Sequence, residues 1–294
     1  MLPTAYAMNG FNLDNSTIPI NKIHHGGPPR DGIPSLDKPE FVAADEATFL
    51  KPEDRILGVV HKGEARAYPI RILNWHEIVN DRIKGDAVVV TFCPLCGTGL
   101  VYNGEIEGKL HDFGVSGLLY NSDVLLYDRQ SESLWSQILS KAISGPMVGR
   151  HLKTLPVSHT SWESWREENP QTLVLSTETG FGRDYSRSPY AGYGKSEQIY
   201  FPVTKESRAY HPKERVLGVE IDGKYKAYPF EELAKLKSNV LQDEFAGQKL
   251  TVSFDVENRD GRITDENGKI IHTVNGFWFA WYAFHEDTAV FKAK

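Results

Sequence analysis

Two stretches of the chain carry the same order of apolar and polar positions. Arg55-Ile-Leu-Gly-Val59 recurs as Arg215-Val-Leu-Gly-Val219, and Ala67-Tyr-Pro69 recurs as Ala227-Tyr-Pro229 at the same spacing. A short polar turn separates the two motifs in each stretch, and each proline can open a helix because the first turn does not need its N–H. Each stretch therefore predicts a strand, a tight turn, a second strand and a helix.

A third match lies downstream, where 85–92 resembles 247–254 in its apolar positions. Three matches in the same order predict an internal duplication. We therefore expect an α+β fold, rich in antiparallel strands, with two lobes related by the duplication. The predicted boundaries are an extended N-terminal arm over 1–50 that packs on the first lobe, a first lobe over 51–195 and a second lobe over 196–294. The arm is assigned because 25–34 is rich in glycine and proline.

Other segments predict single elements. Short strands are expected at 118–120 and 124–127. A helix is expected over 161–166, where Ser161 can cap its start and Asn169-Pro170 can end it. The aromatic run 277–284 predicts a buried strand or a short helix, because it is shorter than the roughly 20 residues that span a bilayer.

Composition excludes several classes of protein. The chain of 294 residues is 40% hydrophobic and 24% charged, which is typical of a globular protein. Its net charge is −6 and no basic run stands out, so we expect no nucleic-acid partner. We also expect no transmembrane segment and no signal peptide, and the sequence does not indicate an oligomeric state. The expected partner is a small molecule or a metal ion.

The candidate chemistry centres on the two cysteines, Cys93 and Cys96. The run 87–92 is apolar on both faces, as in a strand covered on both sides. Pro94 must end the ladder of that strand, and Gly97-Thr-Gly99 then turns the chain, so both sulfurs can point at one place. In the second copy, Asp255 stands where the first has Cys93, and Leu236 stands where the first has His76. This asymmetry predicts that only the first copy carries a site.

A copper or zinc ion is the first hypothesis for this site, because Cys-Pro-x-Cys-Gly resembles one knuckle of a zinc ribbon. Histidine or carboxylate must then complete the ligand set. His76 is the first candidate, since its helical spacing turns it inward, and His111 is the second. His24 and His25 are weaker candidates.

Two metal-free alternatives stay open. The pair resembles the dithiol of glutaredoxins, although there the cysteines begin a helix and here the chain runs on into a strand. A cysteine nucleophile could instead use His76 as its base, with Glu77 or Asp81 orienting the histidine. Asp128, Arg129 and Trp135 could then bind an anionic or planar substrate. A non-enzymatic binding module with structural thiols is the third possibility. An inward histidine is more often a satisfied core residue, and an Asp-Arg pair is more often a surface ion pair.

The motifs together resemble a known family. They are His76-Glu-Ile-Val-Asn-Asp81, Thr91-Phe-Cys-Pro-Leu-Cys-Gly97, Phe113-Gly-Val-Ser-Gly-Leu-Leu-Tyr-Asn121, Tyr127-Asp-Arg129 and Ser133-Leu-Trp-Ser-Gln137. In this order they resemble a prokaryotic domain-of-unknown-function family that carries a C-P-x-C-G-[ST] signature. The resemblance implies a periplasmic or extracellular location, because members are often exported. It also implies that 113–121 and 127–137 line the same pocket as the cysteines, and it implies no activity.

Overall fold

The chain is a mostly β protein, with 42% of residues in strands and 11% in helices. We describe it from a computed structural model that defines residues 7–293. Five four- or five-stranded sheets form a five-bladed β-propeller. Among residues 7–293, no helix has the length and apolar character needed to cross a membrane.

The strands are short and fill most of the chain. In chain order they are β1 (Ala7–Met8), β2 (Phe11–Asn12), β3 (Ile23–His25), β4 (Phe41–Ala43), β5 (Arg55–His61), β6 (Glu64–Pro69), β7 (Ile78–Ile83), β8 (Asp86–Cys93), β9 (Thr98–Asn103), β10 (Glu105–Ile106), β11 (Lys109–Leu110), β12 (Phe113–Tyr120), β13 (Asp123–Asp128), β14 (Leu134–Ser136), β15 (Lys141–Ser144), β16 (Thr154–Leu155), β17 (Ser158–Ser161), β18 (Leu173–Leu175), β19 (Arg215–Ile221), β20 (Lys224–Pro229), β21 (Val240–Phe245), β22 (Gln248–Asp255), β23 (Asp260–Asp265), β24 (Ile270–Ile271), β25 (Thr273–Phe277) and β26 (Ala289–Val290). The helices are α1 (Ile70–His76), α2 (Trp162–Glu168), α3 (Phe230–Leu233) and α4 (Trp278–Phe284), with short 3-10 helices at Ile20–Lys22 and Tyr193–Lys195.

The blades are mainly antiparallel. Their strand orders are β4-β18-β6-β5-β17, β7-β8-β9-β16, β3-β12-β13-β14-β15, β26-β20-β19-β25 and β21-β22-β23-β24. Two of the strand pairs, β6 with β18 and β20 with β26, are parallel. Neighbouring blades meet where β25 approaches β9, β12 approaches β7 and β17 approaches β23.

Two-residue turns close several hairpins, and both turn residues have positive φ, as a type I′ turn requires. Within residues 7–293 the second turn residue is glycine in every such hairpin but one. The glycine turns are Asn9-Gly10, Lys62-Gly63, Lys84-Gly85, Glu107-Gly108, Asp222-Gly223 and Ala246-Gly247. The exception is Asn121-Ser122 between β12 and β13, with φ of 52° and 65°.

The internal repeat exists as a repeat of propeller blades. The run β5-β6-α1-β7-β8-β9 of the first copy has the same order and pairing as β19-β20-α3-β21-β22-β23 of the second. Pro69 and Pro229 stand at the N-caps of α1 and α3, as the sequence predicts. Each copy also seats a tryptophan against a glycine. Trp165 covers Gly58, and Trp281 covers Gly218.

The predicted α+β fold with two lobes is wrong. The repeated helices are short, seven residues in α1 and four in α3, so they cap strands and form no layer of their own. The copies also interleave, because β17 packs beside β23 and β25 packs beside β9, which leaves no two separate lobes. The predicted boundaries at 1–50, 51–195 and 196–294 stay predictions, and the first six residues of the arm lie outside the described part of the chain.

Most of the locally predicted elements are present. β12 and β13 contain the two predicted short strands. The predicted helix is α2, where the Ser161 side chain accepts a hydrogen bond from the backbone N–H of Ser164 at 3.3 Å. The aromatic run 277–284 forms the helix α4. Of the two structures predicted for it, a buried strand or a short helix, the helix is the one present.

Candidate metal centre

A hairpin turn carries the two cysteines. Cys93 is the last residue of β8 and pairs with Thr98 at the start of β9. Pro94 ends the ladder, and Gly97 takes a φ of 64° to bring the chain back. A Cβ at Gly97 would lie 2.9 Å from the Phe277 ring, so this position requires glycine for space as well as for conformation. Both cysteines are buried and free, with 1% and 0% of their surface exposed.

A second turn, from another blade, meets the cysteines. This is Asn121-Ser122, the type I′ turn without a glycine, and it is buried although turns usually lie on the surface. Its Ser122 carbonyl oxygen lies 3.3 Å from the Sγ of Cys96 and 3.8 Å from that of Cys93. The Asn121 side chain fixes the turn by donating to the Ala283 carbonyl at 3.0 Å and accepting from the Thr204 N–H at 2.8 Å.

Asp123 completes a cluster of three possible ligands. It follows the turn directly and is fully buried. Ligand atoms of Cys93, Cys96 and Asp123 all lie within 4.8 Å of one another. The Oδ2 atom of Asp123 accepts from the Ile138 N–H at 3.1 Å, while Oδ1 has no well-formed hydrogen bond within the protein. This buried group could bind a metal ion.

Burial controls the ionisation of the cluster. Desolvation raises the pKa of the Cys93 thiol, and it raises the pKa of the Cys96 thiol much further. It also raises the pKa of Asp123 to about 7. Without a bound metal ion the two thiols therefore keep their protons at neutral pH, while Asp123 is close to half protonated. Since the thiolate is the reactive form of cysteine, this environment does not favour a metal-free nucleophile.

Glu77 is a second buried carboxyl group at the site. Desolvation and then the Asp123 charge raise its pKa to about 8, and its side chain hydrogen-bonds Tyr190. Its backbone has a φ of 57°, which is uncommon outside glycine, as α1 ends there and its carbonyl accepts from the Phe92 N–H at 2.7 Å. The end of α1 thus aims a carboxyl group toward the end of β8.

Lys213 and Tyr193 approach the cluster from the irregular segment 176–213. Lys213 is 3% exposed, and its charge interacts with Cys96. Its Nζ donates to the Gln198 carbonyl at 2.9 Å and lies 4.1 Å from the centre of the Tyr193 ring. Desolvation lowers the pKa of Lys213 to about 8. The Tyr193 hydroxyl is buried and interacts electrostatically with both cysteines, and it makes no hydrogen bond of good geometry to residues 7–293.

His76 is buried, as its spacing predicts, but it does not touch the cluster. Its Nδ1 lies 2.8 Å from the Pro34 carbonyl oxygen, and its Nε2 lies 2.6 Å from the Tyr185 hydroxyl. Because a carbonyl only accepts, Nδ1 carries the proton and Nε2 accepts from Tyr185. Both ring nitrogens are thus engaged, and its role as a ligand or base stays a prediction.

The remaining predicted residues form a separate group. His111 Nδ1 lies 3.0 Å from Asp128, which also accepts from the Trp135 indole N–H at 2.9 Å. Arg129 binds Asp31 and the Tyr127 hydroxyl. The other candidate histidines, His24 and His25, lie on the edge strand β3. These contacts indicate that the residues help to stabilise the fold. Their predicted catalytic or ligand roles stay untested.

Sequence reasoning missed Asp123 and Lys213, and it named Glu77 only as a residue that could orient His76. Asp123 lies in the gap between 113–121 and 127–137, the two segments that the family resemblance assigns to the pocket. The available signal was the buried turn Asn121-Ser122, where glycine is expected and serine stands.

Two surface cavities lie away from the cysteines. One of about 850 Å³ lies between β17 and the blade of β22 to β24, and its lining includes Trp165, Asp255 and Arg262. Another of about 180 Å³ is lined partly by His151, His272 and His285. The burial and mutual contact of the ligand atoms, rather than cavity size, therefore identify the candidate site.

The chain belongs to the family described as "Protein of unknown function (DUF3179)", whose model matches residues 30–288. Comparison with curated proteins gives no match, and neither does comparison with solved structures. The family match confirms the resemblance that the ordered motifs indicate, and it assigns no activity.

Proposed function

We propose that this protein binds a zinc ion through Cys93, Cys96 and Asp123. The observation that carries the proposal is the approach of three buried ligand atoms to within 4.8 Å of one another. Zinc bonds to sulfur at about 2.3 Å and to carboxylate oxygen at about 2.0–2.2 Å, so a small contraction brings all three atoms to one ion.

The ligand types favour zinc over copper. Reduced copper selects soft thiolate and thioether ligands, whereas zinc accepts thiolate together with carboxylate. Asp123 contributes the harder oxygen ligand. Copper, which the cysteine pair alone also suits, is the competing ion in the test below.

Electrostatics supports a cation at this place. Two thiols and two carboxyl groups, Asp123 and Glu77, are buried together, and burial raises the pKa of each of them. Buried charges are found paired or bound to metals because an isolated one is costly. A divalent ion would stabilise the ionised ligands here.

An exported location, periplasmic or extracellular, is part of the proposal and rests on the family resemblance alone. Fractionation of the native host with an antibody against the chain would test it, and recovery only in the cytoplasmic fraction would contradict it.

The metal test uses the full chain, purified without chelator or affinity metal and analysed for metal by plasma mass spectrometry. We expect about one zinc per chain, lost in Cys93→Ser and strongly reduced in Asp123→Asn, because each change removes a ligand. Asp255→Ser is the matched control, since Asp255 occupies the equivalent turn position in the second copy.

Stoichiometric copper in place of zinc would correct the identity of the ion and keep the site. Absence of any metal, even after reconstitution under reducing conditions, would refute the proposal. Equal metal loss in the Asp255→Ser control would show that the loss reflects general unfolding.

A further inference from the structure

We propose that the metal centre has an open coordination position that takes a small anion, held by the Lys213 ammonium and the Tyr193 hydroxyl. This inference rests on the proposed function and adds the class of ligand that the centre recognises. Lys213 and Tyr193 belong to the segment 176–213, which the sequence motifs do not reach.

The first step is the number of ligands. Cys93, Cys96 and Asp123 supply three, while zinc usually takes four and keeps an open position where it binds a substrate or water. Over residues 7–293, no further histidine, cysteine, aspartate or glutamate places a ligand atom inside the same 4.8 Å group. The protein side chains as they stand thus leave one position of a tetrahedral ion unfilled.

The second step is the charge beside that position. Lys213 is almost fully buried, and within the described range no carboxylate lies within 4.0 Å of its Nζ. Within residues 7–293 the only hydrogen bond of its Nζ is to the Gln198 carbonyl, and its charge interacts with Cys96. A buried ammonium is normally paired with an anion. An anion bound to the metal would supply that partner.

The third step is an unused donor. Tyr193 is 2% exposed, and among residues 7–293 its hydroxyl makes no hydrogen bond of good geometry, its one weak interaction being with the Tyr200 backbone, although buried hydroxyls are nearly always hydrogen-bonded. Tyr193 packs in the same buried cluster of side chains as Cys93 and Cys96, and its hydroxyl interacts electrostatically with both. The ammonium of Lys213 lies over the same tyrosine ring at 4.1 Å. One cation and one neutral donor therefore lie together beside the cluster of possible ligands.

Burial limits the size of the anion. Cys96, Ser122 and Asp123 are 0% exposed, and the two surface cavities are lined by other residues. We therefore expect a ligand of a few atoms, such as azide or hydroxide, whereas a bulky substrate would need the segment 176–213 to move.

The test is an azide titration of the full chain loaded with Co²⁺ in place of zinc, followed by the d–d absorption of the cobalt. Metal content is measured on the same samples. We expect azide to change the spectrum of the wild-type protein in a saturable way. Lys213→Met should weaken azide binding by about tenfold or more, because close charge pairs couple strongly when buried. Tyr193→Phe should weaken it by about threefold to tenfold through loss of one hydrogen bond.

Lys226→Met is the matched control, since it removes another largely buried lysine, one that pairs with Asp243 in the second copy. It should leave azide affinity unchanged. Tyr193→Phe keeps the ring and tests the proposal even if Lys213→Met does not fold.

Three outcomes would overturn the proposal. Full cobalt loading without any response to azide would show that the protein fills the fourth position, for which the Ser122 carbonyl oxygen, 3.3 Å from the Sγ of Cys96, is a candidate. Unchanged azide affinity in Lys213→Met and Tyr193→Phe would show that these groups only support the fold or the thiolates. Failure of the wild-type chain to bind cobalt or zinc would refute the proposed function itself, and the anion site with it.

Discussion

Two equivalent hairpin turns of the repeat share their length and backbone conformation but carry different side chains. In the first copy the turn runs from Cys93 to Thr98, and in the second it runs from Asp255 to Asp260. Both turns have the same length, and both put their last residue before the strand in the left-handed region, Gly97 with a φ of 64° and Arg259 with a φ of 49°.

The side chains of the second turn satisfy each other. Asn258, which stands where the first copy has Cys96, donates from its backbone N–H and its side-chain amide to the two carboxylate oxygens of Asp255, at 2.9 and 2.6 Å. In the turn of the first copy both thiols are instead directed at the Ser122 carbonyl of another blade. The fold therefore does not require cysteine here, and the cysteine turn leaves its ligand atoms available.

The two copies also share a network of polar contacts, here called the lock, whose residues are not part of the candidate metal site. Asp81 binds Arg66 and the Tyr68 hydroxyl, and Asp243 binds Lys226 and the Tyr228 hydroxyl in the same places. The scaffold is thus common to both copies, and the difference between them is confined to the turn and its surroundings.

The largest expected effect is loss of this lock. Asp81→Ala should lower the free energy of unfolding by up to about 3–5 kcal/mol, because among residues 7–293 the largely buried Arg66 keeps only Glu64 as an ionic partner and the Tyr68 hydroxyl loses its acceptor. Asp243→Ala should cost less, since its partner is a lysine, which lacks the planar fork of arginine. Denaturant unfolding of both variants measures the difference. A greater loss in Asp243→Ala would contradict the view that the first copy is the more tightly locked.

The two copies should lose similar amounts of stability on substitution of the glycine that each packs against a tryptophan. A Cβ at Gly58 or at Gly218 would lie 2.3 Å from the ring of Trp165 or Trp281. Gly58→Ala and Gly218→Ala should therefore each destabilise the protein by about 1–3 kcal/mol through overpacking. Chemical denaturation again provides the measurement. A substitution that is tolerated in only one copy would show that the blade of that copy can shift to accommodate the added Cβ, whereas the other blade cannot.

An arginine from each copy holds the turn of the other. Arg215 donates to the Gly97 carbonyl in the cysteine turn at 3.1 Å, and Arg55 donates to the Asn258 carbonyl in the other turn. Arg215→Met should weaken zinc binding by about tenfold, as loss of a contact that positions metal ligands usually does. Arg55→Met should leave zinc affinity within about threefold, since it touches the turn without ligands.

Competition with a zinc indicator dye measures both affinities. Similar losses of zinc affinity in Arg215→Met and Arg55→Met would mean that both arginines act by stabilising the whole fold. The difference between the two turns would then not include the arginines that hold them.

The sequence predicts those features that depend on neighbouring residues. The Lys62-Gly63 and Asp222-Gly223 turns, the prolines before α1 and α3, and the apolar β8 ending at Pro94 all follow from local chemistry. The number of blades does not, because it depends on how separate sheets pack. A repeated strand–turn–strand unit with a short helix is equally consistent with two lobes and with propeller blades.

The composition of the site shows the same limit. Cys93 and Cys96 are visible in the sequence because their spacing and turn are local. Asp123 reaches them only because the β12–β13 blade packs against the β8–β9 blade, and an aspartate after a turn is otherwise ordinary. The inward direction of His76 is likewise predictable, but its partners, Pro34 and Tyr185, come from distant irregular segments.

The smallest expected effect concerns acid stability of the second copy. Burial acts to raise the pKa of Asp243, but hydrogen bonds from Lys226 and Tyr228 outweigh it and hold that pKa below the usual value. A carboxyl group with a depressed pKa in the folded state stabilises the protein above its unfolded pKa of about 3.9, and this contribution is lost as the pH falls through the folded value.

The difference in unfolding free energy between wild type and Asp243→Asn should therefore be complete above about pH 5 and shrink at lower pH. Urea denaturation of both proteins over this range measures it, with Asp255→Asn as a control from the same copy. A difference in unfolding free energy that stays constant down to the lowest pH would mean that the charge of Asp243 does not stabilise the lock. The two copies would then share the hydrogen bonds of the lock but not the electrostatic contribution of its carboxylate.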